Sequence, residues 1–252
     1  MHPTPSPFSR LVSAARALHY KWFVRGPSPE VWEERVRRVV QETVASALPW
    51  IPREGAVLLD IGANIGVFTE EVLRQRPGAR AFLFEPVQEH FQRCRARFAG
   101  QPNVVVEPFA LGDRRQRTRI WKPKHNPGGN VIEEEIVALR RSHMDFRPEE
   151  IECRVFDDYA REHDIRHVDF VKSDTEGYDY RVLRGMLPFL ERCAQRPPIL
   201  AELLRADIHP DYAAQLEVLE RLYALGYQRV DLEGMGHVQD FLFLPQEARP
   251  VA

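Results

Sequence analysis

Apolar and polar positions follow two rhythms along this chain. Before residue 56 the rhythm is helical: Val31, Trp32, Arg35, Val36, Val39, Val40, Val44 and Leu48 recur at near-helical spacing until Pro49 ends the run. Ser28-Pro29-Glu30 ahead of them has the marks of a helix start, a capping serine, a proline at the first helical position and an early acid. From residue 56 onward, short apolar runs alternate with helical patterns. Predicted strands are 56–61, 80–85, 104–109, 168–173, 199–203, 227–232 and 239–244. Predicted helices are 66–75, 87–98, 157–163, 178–190 and 211–225. Such alternation predicts a mostly parallel sheet flanked by helices. Only Glu233-Gly234-Met235-Gly236-His237 separates the last two strands, too little for a crossover, so they are expected to pair antiparallel at the end of a seven-stranded sheet.

One region breaks the alternation. Residues 118–121 and 152–156 read as short strands, and the interval between them holds Asn126-Pro127-Gly128-Gly129-Asn130, Glu133-Glu134-Glu135 and Arg140-Arg141. Connections this long in a compact domain are usually functional lids or disordered, and residues 122–151 are expected to be a substrate lid. Residues 1–27 form an arm ending at Gly26-Pro27. The expected organisation is an N-terminal arm and helix over 1–50, then one α/β domain over 51–247.

With 252 residues the chain can bury one large core. Lys and Arg total 35 against 37 Asp and Glu, a formal charge of -2, which provides no basic field for nucleic acid. Cys94, Cys153 and Cys193 are isolated and form no CxxC pair, so neither a zinc framework nor a disulfide scaffold is indicated. No apolar run approaches the roughly 20 residues that span a bilayer. The polar, proline-rich Met1–Pro7 and the basic residues after it do not resemble a secretory leader, and a cytoplasmic location is expected. Residues 8–25 fit a helix packed on its own domain better than a basic amphipathic helix on a membrane surface.

The run Val57-Leu58-Leu59-Asp60-Ile61-Gly62-Ala63-Asn64-Ile65-Gly66 carries the strongest chemical signal. A strand ends in an acid, and a glycine-punctuated turn opens a helix, as in the first ligand-binding turn of doubly wound α/β domains. Its spacing is Gly-x-Asn-x-Gly, not the dinucleotide fingerprint Gly-x-Gly-x-x-Gly. Asp60 would repel a pyrophosphate and suits a cation, so the turn reads as a site for S-adenosylmethionine, a sulfonium without phosphate. Glu85, closing the second strand, is placed to accept hydrogen bonds from ribose hydroxyls. After the third strand, Ala110-Leu111-Gly112-Asp113 can flank an adenine, with Asp113 toward its amine, or can be a plain turn. Val171-Lys172-Ser173-Asp174-Thr175-Glu176-Gly177 delivers Asp174 and Glu176 to the same edge. Glu202, a charge in an apolar strand, is a further candidate, or the partner of an arginine such as Arg205. Acids crowded at one edge call for a cation, hydrogen bonds or a protonated carboxyl. His125, His143 and His237 fall in expected mouth loops, where a histidine can act as a base. No His-x-x-x-His spacing is present, which disfavours a transition metal.

Taken in order, Leu59–Gly66, Phe84-Glu85-Pro86, Ala110–Asp113, Phe156-Asp157-Asp158-Tyr159, Val171–Gly177 and Val182-Leu183-Arg184-Gly185 resemble the FkbM-type methyltransferases over roughly residues 55–245. The resemblance implies a class I methyltransferase (Rossmann-like) fold that uses S-adenosylmethionine to methylate a hydroxyl of a sugar, polyketide or other secondary metabolite. Asp60, Gly62, Asn64 and Gly66 are expected around the methionine part, Glu85 on the ribose, and Ala110 and Asp113 by the adenine. Asp174 and Glu176 are expected near a small-molecule or glycan acceptor, as base, orienting group or, with Glu202, ligands of a hard divalent cation. Two other readings use the same turn: a nicotinamide oxidoreductase and a cofactor-binding scaffold without turnover. The missing fingerprint, the edge acids and the antiparallel strand weigh against the first.

Overall fold

The computed structural model describes residues 29–124, 126–140, 144–232 and 238–251. The N-terminal arm, the helix-start Ser28, Arg141, and the candidate bases His125, His143 and His237 lie outside the described residues. Among the described residues, ten strands and seven α-helices follow in chain order: α1 (Pro29–Ala47), β1 (Val57–Ile61), α2 (Val67–Gln75), β2 (Arg80–Phe84), α3 (Gln88–Arg97), β3 (Val104–Glu107), β4 (Ala110–Gly112), β5 (Gln116–Pro123), α4 (Glu134–Arg140), β6 (Phe146–Val155), α5 (Phe156–Glu162), β7 (Phe170–Ser173), α6 (Asp179–Arg192), β8 (Ile199–Leu204), α7 (Tyr212–Ala224), β9 (Tyr227–Asp231) and β10 (Val238–Pro245).

The main sheet has seven strands in the order β3-β2-β1-β7-β8-β10-β9. All run parallel except β10, which is antiparallel to both its neighbours, β8 and β9. This is the class I methyltransferase order, with strand direction reversing only at the expected end. Successive residues of each strand face opposite layers. Leu58, Ala81, Leu83 and Phe170 pack under α1, α2 and α3, whereas Leu59, Ile61, Phe82, Phe84 and Val171 pack under α5, α6 and α7. By that alternation Asp60 lies on the first face, beneath Thr69 of α2.

The interval after β3 is a second sheet of three strands, ordered β4-β6-β5. The sequence predicted two short strands here, but β5 and β6 are an eight- and a ten-residue strand paired antiparallel from Gln116↔Cys153 to Pro123↔Phe146. Phe156, expected in the strand, instead opens α5. Ala110–Gly112, expected as a loop, is a strand parallel to β6. The predicted lid contains a helix of its own, α4, seated by Val131, Ile136 and Val137 on Leu204 at the end of β8.

Two glycines in the quoted motifs serve the junction between the sheets. A Cβ on Gly185 of α6 would stand 2.0 Å from the Gly112 carbonyl oxygen, so the helix reaches the strand only because Gly185 has no side chain, and a Cβ on Gly112 would in turn stand 2.8 Å from Cys153 Sγ of β6.

Candidate active site

β1, β2 and β7 end together, and the turns leaving them line a common narrow cleft. Gly62 and Asn64 line it from the first turn, Glu85 and Pro86 from the second, Ala110 and Leu111 from β4, and Asp174, Thr175, Glu176 and Tyr178 from the loop after β7. Gly128, Asn130 and Ile132 of the insertion complete the wall. Two distant parts of the sequence thus meet at one edge, as the motifs anticipated.

The first turn is wound by three left-handed residues, Gly62 (φ 71°), Asn64 (φ 54°) and Gly66 (φ 79°). Four of its amides are engaged: Gly62 and Ala63 donate to the Phe84 carbonyl, Asn64 to Glu85 Oε2 at 2.8 Å, and Gly66 to the Ala63 carbonyl. Glu85 receives a second backbone bond from Val87 at 2.8 Å and is 4% exposed. Burial pushes its carboxyl up to about 8, against the pull of those two amides and of Lys172. Each oxygen keeps a lone pair for a hydroxyl in the cleft.

Asp60 is fully buried and does not line the cleft. Its Oδ2 accepts from the Thr69 hydroxyl at 2.7 Å, and its Oδ1 lies 3.2 Å from Lys172 Nζ. The cation that Asp60 was expected to find in a ligand is supplied by the chain itself. Lys172 also donates to the Gly62 carbonyl at 2.9 Å and stands 3.6 Å from Asp174 Oδ2. Burial works against its charge, but Asp60 and Asp174 outweigh that and hold the ammonium well above its usual range. Lys172 was not singled out from sequence, although a lysine inside an apolar strand was the available signal.

Asp174, its side chain half exposed, projects from the end of β7 into the cleft. Asp179, fully buried behind it, accepts from the Ser173 hydroxyl at 2.5 Å and the Thr175 amide at 3.2 Å, and so fixes the loop that carries Asp174. Burial raises the Asp179 carboxyl to about 7. Glu176 sits at φ 56° and is paired with Arg140 of α4 at 2.9 Å. Burial pushes its carboxyl up, and the Arg140 guanidinium partly offsets this. Its observed contact is therefore to the lid.

Three other expected site residues stand elsewhere. Gly66 faces Phe98 and Cys94 of the α3 layer and does not line the cleft. Asp113 is bound by Arg181 at 3.2 Å and Arg184 at 3.4 Å, away from the cleft. Glu202 does not line the cleft either: it lies opposite Asp240 across the β8–β10 pair, with Oε2 buried and unpartnered among the described residues. Burial and the nearby acids Asp174, Glu176, Asp179 and Asp240 push its carboxyl far up. Among the described residues no three His, Cys, Asp or Glu side chains are grouped to hold a metal ion, so Asp174, Glu176 and Glu202 do not form the metal site considered from sequence.

Two cleft residues carry buried polar atoms without partners among the described residues, Asn64 Oδ1 and Thr175 Oγ1. Buried acceptors left open in this way are complementary to an N–H donor, such as the ammonium of an amino-acid ligand lying between the two turns. The donor set fits the S-adenosylmethionine expected from sequence.

The methyltransferase FkbM domain model matches residues 60–228. The 2-O-methyltransferase NoeI of Sinorhizobium fredii is 27% identical over 139 residues, 51% of this chain and only 56% of that protein. The 31-O-demethyl-FK506 methyltransferase FkbM of Streptomyces tacrolimicus is 28% identical over 225 residues, 79% of this chain and 81% of its own length. Among solved structures, a precorrin-6y C5,15-methyltransferase from Geobacter metallireducens superposes with a TM-score of 0.48 at 14% identity, over 82% of this chain and 88% of its own.

Proposed function

Because this chain belongs to the methyltransferase FkbM domain family, we propose that it is an S-adenosylmethionine-dependent O-methyltransferase acting on a hydroxyl of a small-molecule or glycan acceptor. The observation that carries the reading is the pairing of two open acceptors, Asn64 Oδ1 and Thr175 Oγ1, with Glu85 and a half-exposed Asp174 around one cleft. When bound, the cofactor supplies a methyl group on a positively charged sulfur, open to in-line displacement.

Every other part is played by the chain. Asn64 and Thr175 take the amino-acid end, Glu85 the ribose hydroxyls, and Pro86, Ala110, Leu111 and Tyr178 the adenine faces. Asp174 receives the proton of the acceptor hydroxyl, which raises the nucleophilicity of that oxygen as it attacks. Lys172 Nζ stands 3.6 Å from that carboxylate. Gly128 and Asn130 cover the side from which the acceptor must approach, and Arg140–Glu176 holds that cover in place, which keeps water out and the reactants aligned. Asp60 and Gly66 act on the turn from behind, without reaching the ligand.

Calorimetry tests the reading directly: S-adenosylhomocysteine should bind and NAD should not. Labelled methyl donor presented with a panel of hydroxylated acceptors, with mass detection of product, then identifies the substrate. Tight NAD binding without methyl-donor binding would overturn the proposal.

A further inference from the structure

One stripe of α3 holds the strained first turn from behind. His90, Cys94 and Arg97 recur at the i, i+4, i+7 spacing of a single helix face. The Cys94 thiol donates to the Asn64 carbonyl at 2.9 Å, and Arg97 Nε donates to the Ile65 carbonyl at 2.8 Å. His90, 4% exposed, places Nδ1 3.8 Å from Glu85 Oε1, with no hydrogen-bond partner among the described residues. A non-glycine residue at positive φ, as Asn64 is, persists only where its surroundings over-determine it. This stripe is a large part of those surroundings.

The stripe is itself covered by α1. Trp32 is 3% exposed, stacks on the His90 ring at 5.8 Å between centroids, and packs on Ile65 and Val67. Glu33 accepts from Arg97 at 2.6 Å and from Arg93 at 3.0 Å, and the Arg93 guanidinium lies 5.3 Å from the Trp32 ring centroid. None of the cleft-lining residues belongs to α1, and α1 precedes the segment matched by the family model. Two chains of contact therefore run from a helix outside the family domain to the two elements that face the donor: Trp32–His90–Glu85, and Glu33–Arg97–Ile65.

We propose that α1 is a positioning element for the methyl donor: it fixes the turn and Glu85 through the α3 stripe, and so sets donor affinity without touching the donor. This rests on the donor reading given above. An element that merely adds stability would lower the melting temperature and leave the folded protein's affinity alone. A positioning element changes the affinity itself, because the turn must then be ordered when the ligand binds.

The full chain is tested with S-adenosylhomocysteine as the probe, comparing wild type with Glu33→Gln, Trp32→Ala and Trp32→Phe. Calorimetry should show the dissociation constant rising roughly fivefold in Glu33→Gln and further in Trp32→Ala, with Trp32→Phe within about twofold of wild type. Hydrogen exchange supplies a readout independent of ligand: amides 62–66 should lose protection relative to those of β8, whereas a global loss of stability would move both together. Glu33 is partly exposed and its amide keeps the same shape, so Glu33→Gln folds and decides the matter even if Trp32→Ala does not. Unchanged affinity and unchanged exchange at 62–66 in Glu33→Gln would overturn the proposal. Failure of the wild type to bind the probe would overturn the donor reading instead, while exchange at 62–66 still judges the positioning role.

Discussion

Gly62 has no room for a side chain, and what fills the space is protein. A Cβ there would stand 2.0 Å from the Asp174 carbonyl oxygen, on a residue already at φ 71°. The glycine was legible in the sequence as a point of close approach, but the partner is the end of β7, whereas a ligand was expected. Gly62→Ala should therefore separate the two turns that frame the cleft. Thermal melts should show a destabilised but folded protein, and calorimetry should show donor binding lost; wild-type binding in this variant would mean that the turns can part without cost to the site. Asp174 is the opposite case, its side chain half exposed and 3.6 Å from Lys172 Nζ. Asp174→Asn should keep donor affinity within about twofold and lower turnover by roughly 10²–10⁴, the usual share of a general base. Full turnover in that variant would remove Asp174 from the chemistry. What the sequence did not show at this scale was which atoms face the cleft. Asp60 was correctly placed at the end of β1, yet its partner, Lys172, comes from another strand 112 residues on, through a contact that no local pattern encodes.

At the scale of elements, the strands of the main sheet and the helices that cover it were legible from their periods, whereas the long β5 and β6 were read only in part. The elements that were missed are those too short to show a period. β4 has three residues and exists because β6 pairs with it, and α4 has seven, inside an interval read as a lid without structure of its own. The same shortness makes α4 easy to move. Its seat is a small cluster, Val131, Ile136, Val137 and Leu204, reinforced by the Arg140–Glu176 pair. A partly exposed ion pair contributes at most about 1 kcal/mol, whereas truncating a buried isoleucine costs about 2–5 kcal/mol. The apolar seat is thus the dominant hold, and Ile136→Ala should undock the helix more than Arg140→Ala does. Because Gly128, Asn130 and Ile132 line the donor cleft, undocking should speed donor release as well as expose the acceptor side. Stopped-flow release of S-adenosylhomocysteine measures this. Equal release rates in Ile136→Ala and wild type would show that α4 is not a cover for the donor.

Over the whole molecule, a formal charge of -2 hides an uneven distribution. Glu85, Asp174, Glu176, Asp179, Glu202 and Asp240 gather around one edge of the sheet, with Lys172 and Arg140 as the nearby cations. The sequence showed the crowding of Asp174, Glu176 and Glu202 and left its answer open between a cation, hydrogen bonds and a protonated carboxyl; in the structure burial pushes the Glu176 and Glu202 carboxyls up, and the internal cations Lys172 and Arg140 stand beside Asp174 and Glu176. Burial holds Glu85 at about 8, Asp179 at about 7 and Asp240 at about 6. An unfolded chain releases such protons near pH 4. The stability each raised group contributes is complete below that unfolded value and is lost as the pH rises through the folded one, at most about 1.4 kcal/mol per pH unit per group. His90 acts in the opposite sense. Burial lowers it to about 4, so its contribution is lost as the pH falls from about 6.5, where the unfolded imidazole gains a proton that the folded one refuses. Above about pH 6.5 the downward trend is unopposed by His90, and between about 7 and 8 Glu85 carries most of it among the groups with a stated value. The melting temperature of the wild type should fall across that interval. Glu85→Gln, neutral at every pH, should show a flatter curve there. Saturating S-adenosylhomocysteine should flatten the wild-type curve as well, since ribose hydroxyls donating to Glu85 favour its ionised form and draw its proton off at lower pH. Parallel curves for wild type and Glu85→Gln would mean that Glu85 is already ionised in the free protein. A flattened variant with no effect of ligand would leave the buried carboxyl in place but take the ribose away from it.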